Sequence, residues 1–231
     1  YIVYYLLSKQ NKIDEKTFEK CTKLIKLSIP PTIKTICEYS FNECTSLIEI
    51  DIPSSVVSIE RCSFYKCSSL QKIKIPKKVK TIEPYLFYGC SSLPKINISS
   101  SITSIGSYAF NCCNQLKNIL IPQSVAKIGQ GSFYGCSSLV NITLPTSITK
   151  IESYSFCGCS LLSKINVPMS IAQICKGAMK LCRSLDKITI PKSTSVIDSY
   201  SFSECSLLTE VSFENHFTFI KIEKCVFYKC S

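Results

Sequence analysis

Apolar residues recur along the chain with a period of 23 residues. The phrase L-x-x-I-x-I, seen as "LQKIKIP" at residues 70–76, ends in alternating apolar and polar positions, which is typical of a half-buried β-strand. The proline that usually closes the phrase cannot donate to a sheet ladder and so ends the strand. A second pair, V/I-x-x-I, follows and is short enough for another extended piece, as at Val125 and Ile128. Each repeat therefore predicts one short strand and a second extended segment.

A third pattern, F-x-x-C-x-x-L, precedes each strand phrase, as in "FYGCSSL" at residues 87–93 and 133–139. The aromatic column consists of Phe18, Phe41, Phe64, Phe87, Phe110, Phe133, Phe156, Met179 and Phe202. The cysteine column follows three residues later, at Cys21, Cys44, Cys67, Cys90, Cys113, Cys136, Cys159, Cys182 and Cys205. A spacing of three suits a single helical or 3₁₀ turn, so this segment is predicted to turn the chain into the next strand.

A unit of 23 residues cannot bury all of its apolar columns alone, so the units are expected to stack on one another. Equivalent strands would then form a parallel ladder with a spacing of about 4.8 Å, and ten units would make a body about 45 Å long. We therefore predict one continuous solenoid over residues 1–231, with about ten units. Its first unit, residues 1–23, is degenerate, and its last, residues 208–231, carries a two-residue insertion.

Both ends of the chain lack a polar cap. The segment "YIVYYLL" at residues 1–7 is in register for a strand, with Tyr1, Tyr4 and Leu6 facing inward. Because solenoids need capped ends and the chain has no initiator methionine, we interpret it as a fragment of a longer protein. No apolar run approaches the length of ~18 residues that a membrane span requires, so no span is predicted in this segment.

The consensus L-x-x-I-x-I-P-x-S-V-x-x-I-x-x-x-x-F-x-x-C resembles the BspA-like, or Treponema-type, leucine-rich repeats, and the resemblance covers essentially all of the chain. It implies an α/β repeat, a right-handed leucine-rich-repeat solenoid with a concave parallel β-sheet and short strands or helical turns on the other side. Members of this family are often cell-surface or secreted proteins linked to adhesion, which the resemblance extends to this chain as an expectation.

The net charge is +11, and all but Arg61 and Arg183 of the 27 basic residues are lysine. A basic excess favours acidic partners, so another protein or an acidic macromolecule is the expected partner. Nucleic acid is not favoured, because arginine supplies most bidentate base contacts and no nucleic-acid-binding motif is present.

Two sets of surface residues are candidates for binding. The polar positions of the strand phrase are expected to face the concave side, where lysines form a basic column. These residues are Lys26, Lys72, Lys74, Lys95, Lys164 and Lys187. The alternative is an aromatic ridge beside the phenylalanine column, formed by Tyr39, Tyr85, Tyr108, Tyr154 and Tyr200. For both sets a structural explanation is also open, namely solvated lysines and half-buried tyrosines that close the turn.

Sixteen cysteines could indicate disulfides, a metal site or packing. Stacked cysteines would stand parallel in a packed interior, so we predict buried free thiols. No metal site or cofactor is predicted, since paired C-x-x-C motifs are absent and His216 is the single histidine. Unpaired thiols favour a reducing compartment, whereas the family resemblance favours the cell surface, so the localisation stays open. Two glycosylation sequons, at Asn97 and Asn141, matter only if the chain is exported.

The sequence contains no catalytic constellation, because it has one histidine, no phosphate-binding glycine loop and no nucleophile placed beside a base. We therefore predict a non-enzymatic module that presents an extended surface to a macromolecular partner. Two settings remain open. One is an adhesion module displayed at the cell surface, and the other is an intracellular scaffold or structural component of a cytoskeletal or multiprotein assembly.

Overall fold

A computed structural model describes residues 2–214 and 219–230. They form a leucine-rich-repeat solenoid of about nine turns of roughly 23 residues, with parallel strands and almost no helix. All strand pairs are parallel, and equivalent residues of successive units pair with each other, for example Ile96 with Ile119. The predicted repeat fold is confirmed.

The first ladder consists of the strands formed by the L-x-x-I-x-I phrase. Within the described residues these nine strands are β2 (Lys26–Ser28), β4 (Glu49–Asp51), β6 (Lys72–Ile73), β8 (Lys95–Asn97), β10 (Asn118–Leu120), β12 (Asn141–Thr143), β14 (Lys164–Asn166), β16 (Lys187–Ile190) and β18 (Glu210–Phe213). Most of these strands alternate exposed and buried side chains, because only one of their faces packs on the core.

The second ladder consists of the strands formed by the V/I-x-x-I pairs. The described part of the chain contains ten of them, β1 (Lys12–Ile13), β3 (Thr35–Ile36), β5 (Ser58–Ile59), β7 (Thr81–Ile82), β9 (Ser104–Ile105), β11 (Lys127–Ile128), β13 (Lys150–Ile151), β15 (Gln173–Ile174), β17 (Val196–Ile197) and β19 (Lys221–Ile222). The offset between β17 and β19 is 25 residues, because Val196 pairs with Lys221 across a segment that includes two extra residues. His216 lies outside the described residues.

The third side of each unit is a series of single turns closed by bonds between residues three apart, such as that from the Cys44 N–H to the Phe41 carbonyl at 3.2 Å, and it forms no continuous helix. Tyr39 and Glu43 each have a φ of 55°, in the left-handed region, and two such residues occur in every turn. Left-handed residues break a right-handed helical path and leave amides free to bond elsewhere. The Phe41 N–H donates to the Ser63 carbonyl of the next unit at 2.9 Å, and equivalent bonds tie all successive units together. We call this third set of bonds the turn ladder.

The core lies between the three ladders and consists of columns that run along the solenoid. Successive phenylalanine rings stack nearly parallel, with centroids 5.1 to 5.8 Å apart. The column continues through Met179, which is fully buried between Phe156 and Phe202. Buried isoleucines of both ladders and the leucines of F-x-x-C-x-x-L enclose it, so every unit depends on its neighbours for burial.

The N-terminal segment differs from the prediction, because residues Ile2–Leu7 form a short helix, α1, and not a strand. Leu7 is buried, whereas Leu6, which was expected to face inward, is exposed. The segment is a continuous apolar run without the alternation of the other strand phrases, and such a run fits a short helix as well as a strand. Tyr1 and the side chain of Tyr4, which were also expected to face inward, lie outside the described residues. No helix in the described parts of the chain is long and apolar enough to cross a membrane.

The two strand ladders are each divided into segments. The first ladder is interrupted between β6 and β8 and between β14 and β16, and the second between β5 and β7 and between β11 and β13. At the interruption between β6 and β8, the residue after the leucine is Pro94. In the preceding unit the equivalent residue is Gln71, whose N–H donates to the Ile48 carbonyl of the unit before it. Because proline has no N–H, this bond is lost and the ladder opens there.

Candidate functional site

The lysines predicted as a binding column lie on the exposed face of the first ladder. Five of them, Lys26, Lys72, Lys95, Lys164 and Lys187, are the first residues of their strands, and each has an exposed side chain. Lys74 follows the end of β6 and is also exposed. The parallel register places these first residues side by side, for example Lys26 next to Glu49 and Glu49 next to Lys72. The structure therefore brings the predicted residues to one surface.

Part of this column is already neutralised by carboxylates of the same column. The Glu49 carboxylate forms ion pairs with Lys26 at 2.9 Å and with Lys72 at 2.5 Å. Hydrogen bonds from these two ammonium groups lower the pKa of Glu49 to about 2. Lys187 pairs with Glu210 at 2.8 Å. An incoming anion would have to compete with these carboxylates at three of the six predicted lysines.

The centre of the column has a different composition. Asn118 and Asn141 occupy the equivalent positions between Lys95 and Lys164, and all four side chains are exposed. The two asparagines were not among the predicted site residues, although they occupy the same repeat position as the lysines. Their repeat position alone would have placed them among the candidate binding residues.

The predicted aromatic ridge lies on the turn side, and its tyrosines are all partly buried. Each ring extends over the equivalent residue of the next unit. The rings of Tyr85 and Tyr108 stack at 5.2 Å, and a Cβ atom on Gly131 would clash with the ring of Tyr108. Tyr108 thus covers the small residue of the following turn, whereas Tyr85 stacks on another tyrosine.

The other tyrosines of the ridge follow the same rule. The ring of Tyr154 lies over Gly177, where an added Cβ would be 2.5 Å from the ring. Tyr39 and Tyr200 instead extend over Cys62 and Cys225, and hydrogen bonds with these thiols raise the pKa of both phenols.

The cysteine column is buried and hydrogen-bonded. The Sγ of Cys67 donates to the carbonyl oxygen of Phe41 at 3.1 Å, and the Sγ of Cys136 donates to that of Phe110 at 3.1 Å. Eight cysteines of the column, from Cys44 to Cys205, and Cys230 of the last unit make this contact with the preceding unit, at 3.0 to 3.2 Å. All sixteen cysteines are free thiols in the structure. The column therefore combines apolar packing with a weak donor for the turn carbonyls.

Burial makes most of these thiols poor nucleophiles. It raises the pKa of Cys44 to about 11 and that of Cys205 to about 12, and it raises the pKa of Cys90 further still. The thiolate is the reactive form and the metal ligand, so these groups are inert near neutral pH. Within the described residues no cluster of three or more His, Cys, Asp or Glu side chains could hold a metal ion.

A groove of about 500 Å³ opens at the interruption between β14 and β16. Lys164 and Lys187 line it, but so do the carboxylates of Asp186 and Glu214. The groove therefore carries both positive and negative side chains, and it continues the exposed face of the first ladder.

The chain matches a family model described as the BspA type leucine rich repeat region. The match comprises six copies and covers residues 11–140 and 126–231. The chain has no significant match among curated proteins.

Several solved structures are similar to the chain. A leucine-rich repeat protein of T. pallidum is 25% identical, with a TM-score of 0.52 over 75% of this chain and 71% of that one. The pneumococcal vaccine antigen PcpA is 17% identical, with a TM-score of 0.58 over 90% of this chain and 55% of that one. A leucine-rich repeat protein of Eubacterium ventriosum is 19% identical, with a TM-score of 0.50 over 96% of this chain and 80% of that one. The likeness to the last two concerns the fold alone.

Proposed function

Because the chain belongs to the BspA-type leucine-rich repeat family, a family of protein-interaction modules, we propose that it binds a protein partner through the exposed face of the first ladder. The proposed activity is non-enzymatic. Leucine-rich repeat proteins are typically binding modules without catalytic function.

One observation carries the choice of this face. Its strands present exposed polar and basic side chains at regular spacing, and Lys95 and Lys164 have no ion pair within the described residues. The tyrosine ridge is less suited to binding a partner, because its rings already pack on the next turn, as Tyr108 packs on Gly131. We assign the tyrosines to packing and the lysine-bearing face to recognition.

The experiment that tests this assignment compares two charge reversals. The variant Lys95→Glu/Lys164→Glu changes the first-ladder face, and Lys127→Glu/Lys150→Glu makes the same change on exposed positions of the second ladder. The partner retained by the wild-type chain from its native source is identified by mass spectrometry and then measured with both variants. We expect the partner to be lost from Lys95→Glu/Lys164→Glu and to be retained by Lys127→Glu/Lys150→Glu. Equal retention by both variants would place the partner elsewhere on the solenoid.

The cellular setting is proposed in two forms. Adhesion at a cell surface is the setting that the family suggests. An intracellular scaffold is favoured by the sixteen free thiols, because unpaired cysteines persist in reducing compartments. The intact mass of the protein from its native source, denatured and alkylated without reduction, separates the two. Full labelling without added sugar mass supports the scaffold, whereas protected thiols or glycan on Asn97 or Asn141 support export.

A further inference from the structure

Strands β8, β10 and β12 lie in a part of the chain that has no acidic residue, and β14 lies between Glu152 and Asp186. Between Glu83 and Glu152 the sequence contains no aspartate or glutamate. Lys26, Lys72 and Lys187 form ion pairs with glutamates outside the sheet of these four strands, the first two with the same Glu49 carboxylate. Among the described residues no carboxylate pairs with Lys95 or Lys164, which are the first residues of the two outer strands. Both lysines of the sheet are therefore unpaired among the described residues, and Asp186 and Glu214 line the groove beside Lys164.

The spacing of these two lysines matches an extended peptide. Lys95, Asn118, Asn141 and Lys164 lie side by side in register, so three strand intervals separate the lysines. Three intervals amount to about 14 Å. In an extended chain, side chains four residues apart lie on the same face and about 13 Å apart, since each residue advances about 3.3 Å.

The surface between the lysines suits a peptide backbone. Asn118 and Asn141 are exposed, and their side chains make no hydrogen bond to any described residue. An asparagine amide offers a donor and an acceptor together, which matches the N–H and C=O of a peptide group. Leu120, two residues beyond Asn118, is 78% exposed and offers an apolar contact in the middle of the sheet.

We propose that the exposed face of β8, β10, β12 and β14 binds an extended acidic segment of a protein partner. The segment lies along the solenoid axis, with carboxylates four residues apart at Lys95 and Lys164 and its backbone on Asn118 and Asn141. This inference rests on the proposed function and deepens it by naming the part of the face and the chemistry of the partner. An anionic polysaccharide is the competing occupant, but its closely spaced charges would favour a lysine on every strand, and β10 and β12 begin with asparagine.

The test uses two labelled peptides of equal composition. In TETVTET the glutamates are four residues apart and share a face with the valine, whereas in the isomer TTEVETT they are two residues apart and the valine faces away. Binding is measured by fluorescence polarisation with the wild-type chain, with Lys95→Ala/Lys164→Ala, and with Lys127→Ala/Lys150→Ala. The last pair is exposed on the second ladder and serves as the matched control.

We expect TETVTET to bind more tightly than its isomer and to lose about ten-fold in affinity on the double substitution, since each exposed ion pair contributes a few-fold. The control variant should stay within about two-fold of wild type, and added salt should weaken binding. Equal binding of the two peptides, or equal losses in the two variants, overturns the inference. So does a result in which heparin but not the peptide depends on Lys95 and Lys164.

The failure of this inference can be told apart from that of the proposed function. If neither peptide binds but the native partner is still lost from Lys95→Glu/Lys164→Glu, the acidic-peptide inference fails and the binding face stands. If the partner is retained by that variant as well, both fail.

Discussion

The Sγ atom of Cys90 lies 3.2 Å from the carbonyl oxygen of Phe64, which belongs to the preceding unit of the solenoid. This carbonyl also accepts the Cys67 N–H within its own turn. The cysteine thus gives the turn carbonyl a second partner in a fully buried position. A thiol is small, apolar enough for the core and still a weak donor, and these properties suit this repeated position.

The first prediction concerns this bond. Cys90→Ala removes the donor and leaves a cavity, so we expect it to lower the free energy of unfolding by about 1–3 kcal/mol. Cys90→Ser keeps a donor and should be the more stable of the two variants. If the cysteine were only an apolar filler, the order would reverse, because a buried hydroxyl without a partner is unfavourable. Urea denaturation of both variants measures the order.

Cys21 provides the matched control for that comparison. It occupies the same column in the first unit, is only half-buried, and has no thiol bond to a preceding unit in the described part of the chain. Alanine and serine should therefore be nearly equivalent at this position, within about 0.5 kcal/mol.

The second prediction concerns thiol reactivity. Cys225 is exposed, whereas burial raises the pKa of Cys44 to about 11 and that of Cys205 to about 12. At pH 8 we expect iodoacetamide to modify Cys225 first and the buried column only as fast as the chain opens. Peptide mass spectrometry over a time course gives the order, and full labelling in denaturant is the control. Equal rates for Cys225 and Cys205 would contradict the packing described.

The third prediction is that the protein loses stability at alkaline pH. The ordinary pKa of the Cys44 thiol is 9.0, and folding raises it to about 11. Below pH 9 both states hold the proton and the stabilisation is complete. As the pH rises from 9 towards 11, the unfolded chain releases protons that the folded chain retains, so unfolding becomes more favourable.

Each buried thiol that titrates only in the unfolded chain contributes a slope of up to about 1.4 kcal/mol per pH unit. Urea midpoints between pH 8 and pH 11 measure the sum. The variant Cys205→Ala should show a shallower decline, because one titrating group has been removed. A midpoint that stays constant to pH 10.5 would be inconsistent with buried, neutral thiols.

The fourth prediction tests the tyrosine packing with a pair of glycines. Gly131 and Gly158 both have positive φ, 58° and 75°, so alanine is strained at either position. An added Cβ at Gly158 meets only ordinary contacts, at 3.6 Å, whereas at Gly131 it clashes with the Tyr108 ring. We expect Gly131→Ala to be less stable than Gly158→Ala by at least about 1 kcal/mol.

A double-mutant cycle identifies the cause of that difference. Adding Tyr108→Ala to Gly131→Ala should recover part of the loss, because the clashing ring is gone. If the two substitutions are additive in thermal denaturation, the ring does not set the requirement for glycine at position 131.

The strands were predictable from the sequence because their burial follows a simple alternation. In "LQKIKIP" the buried Ile73 and Ile75 are separated by the exposed Lys74, and the period of two leaves no other choice of face. The turn side was not predictable in this way, since a spacing of three fits both a helix and a series of turns. The left-handed residues decide between them, and Tyr39 and Glu43 are not residue types that signal this conformation.

The candidate site was predictable in position but not in charge. The repeat places each lysine on the exposed face, yet the ion pairs of Lys26 and Lys72 with Glu49 depend on side-chain geometry across strands. The segment Ile2–Leu7 also escaped prediction, because it is a continuous apolar run that fits a short helix as well as a strand.

The three ladders differ in continuity, and this difference has a mechanical consequence. The turn ladder joins every pair of successive units from Lys16 to Tyr228, whereas both strand ladders are interrupted twice. A solenoid whose hydrogen bonds are continuous on one side and interrupted on the other two bends most easily at the interruptions, with the continuous side as the hinge. Under load the aromatic and cysteine columns would keep the units in register, while the lysine-bearing face would change its length at its two interruptions.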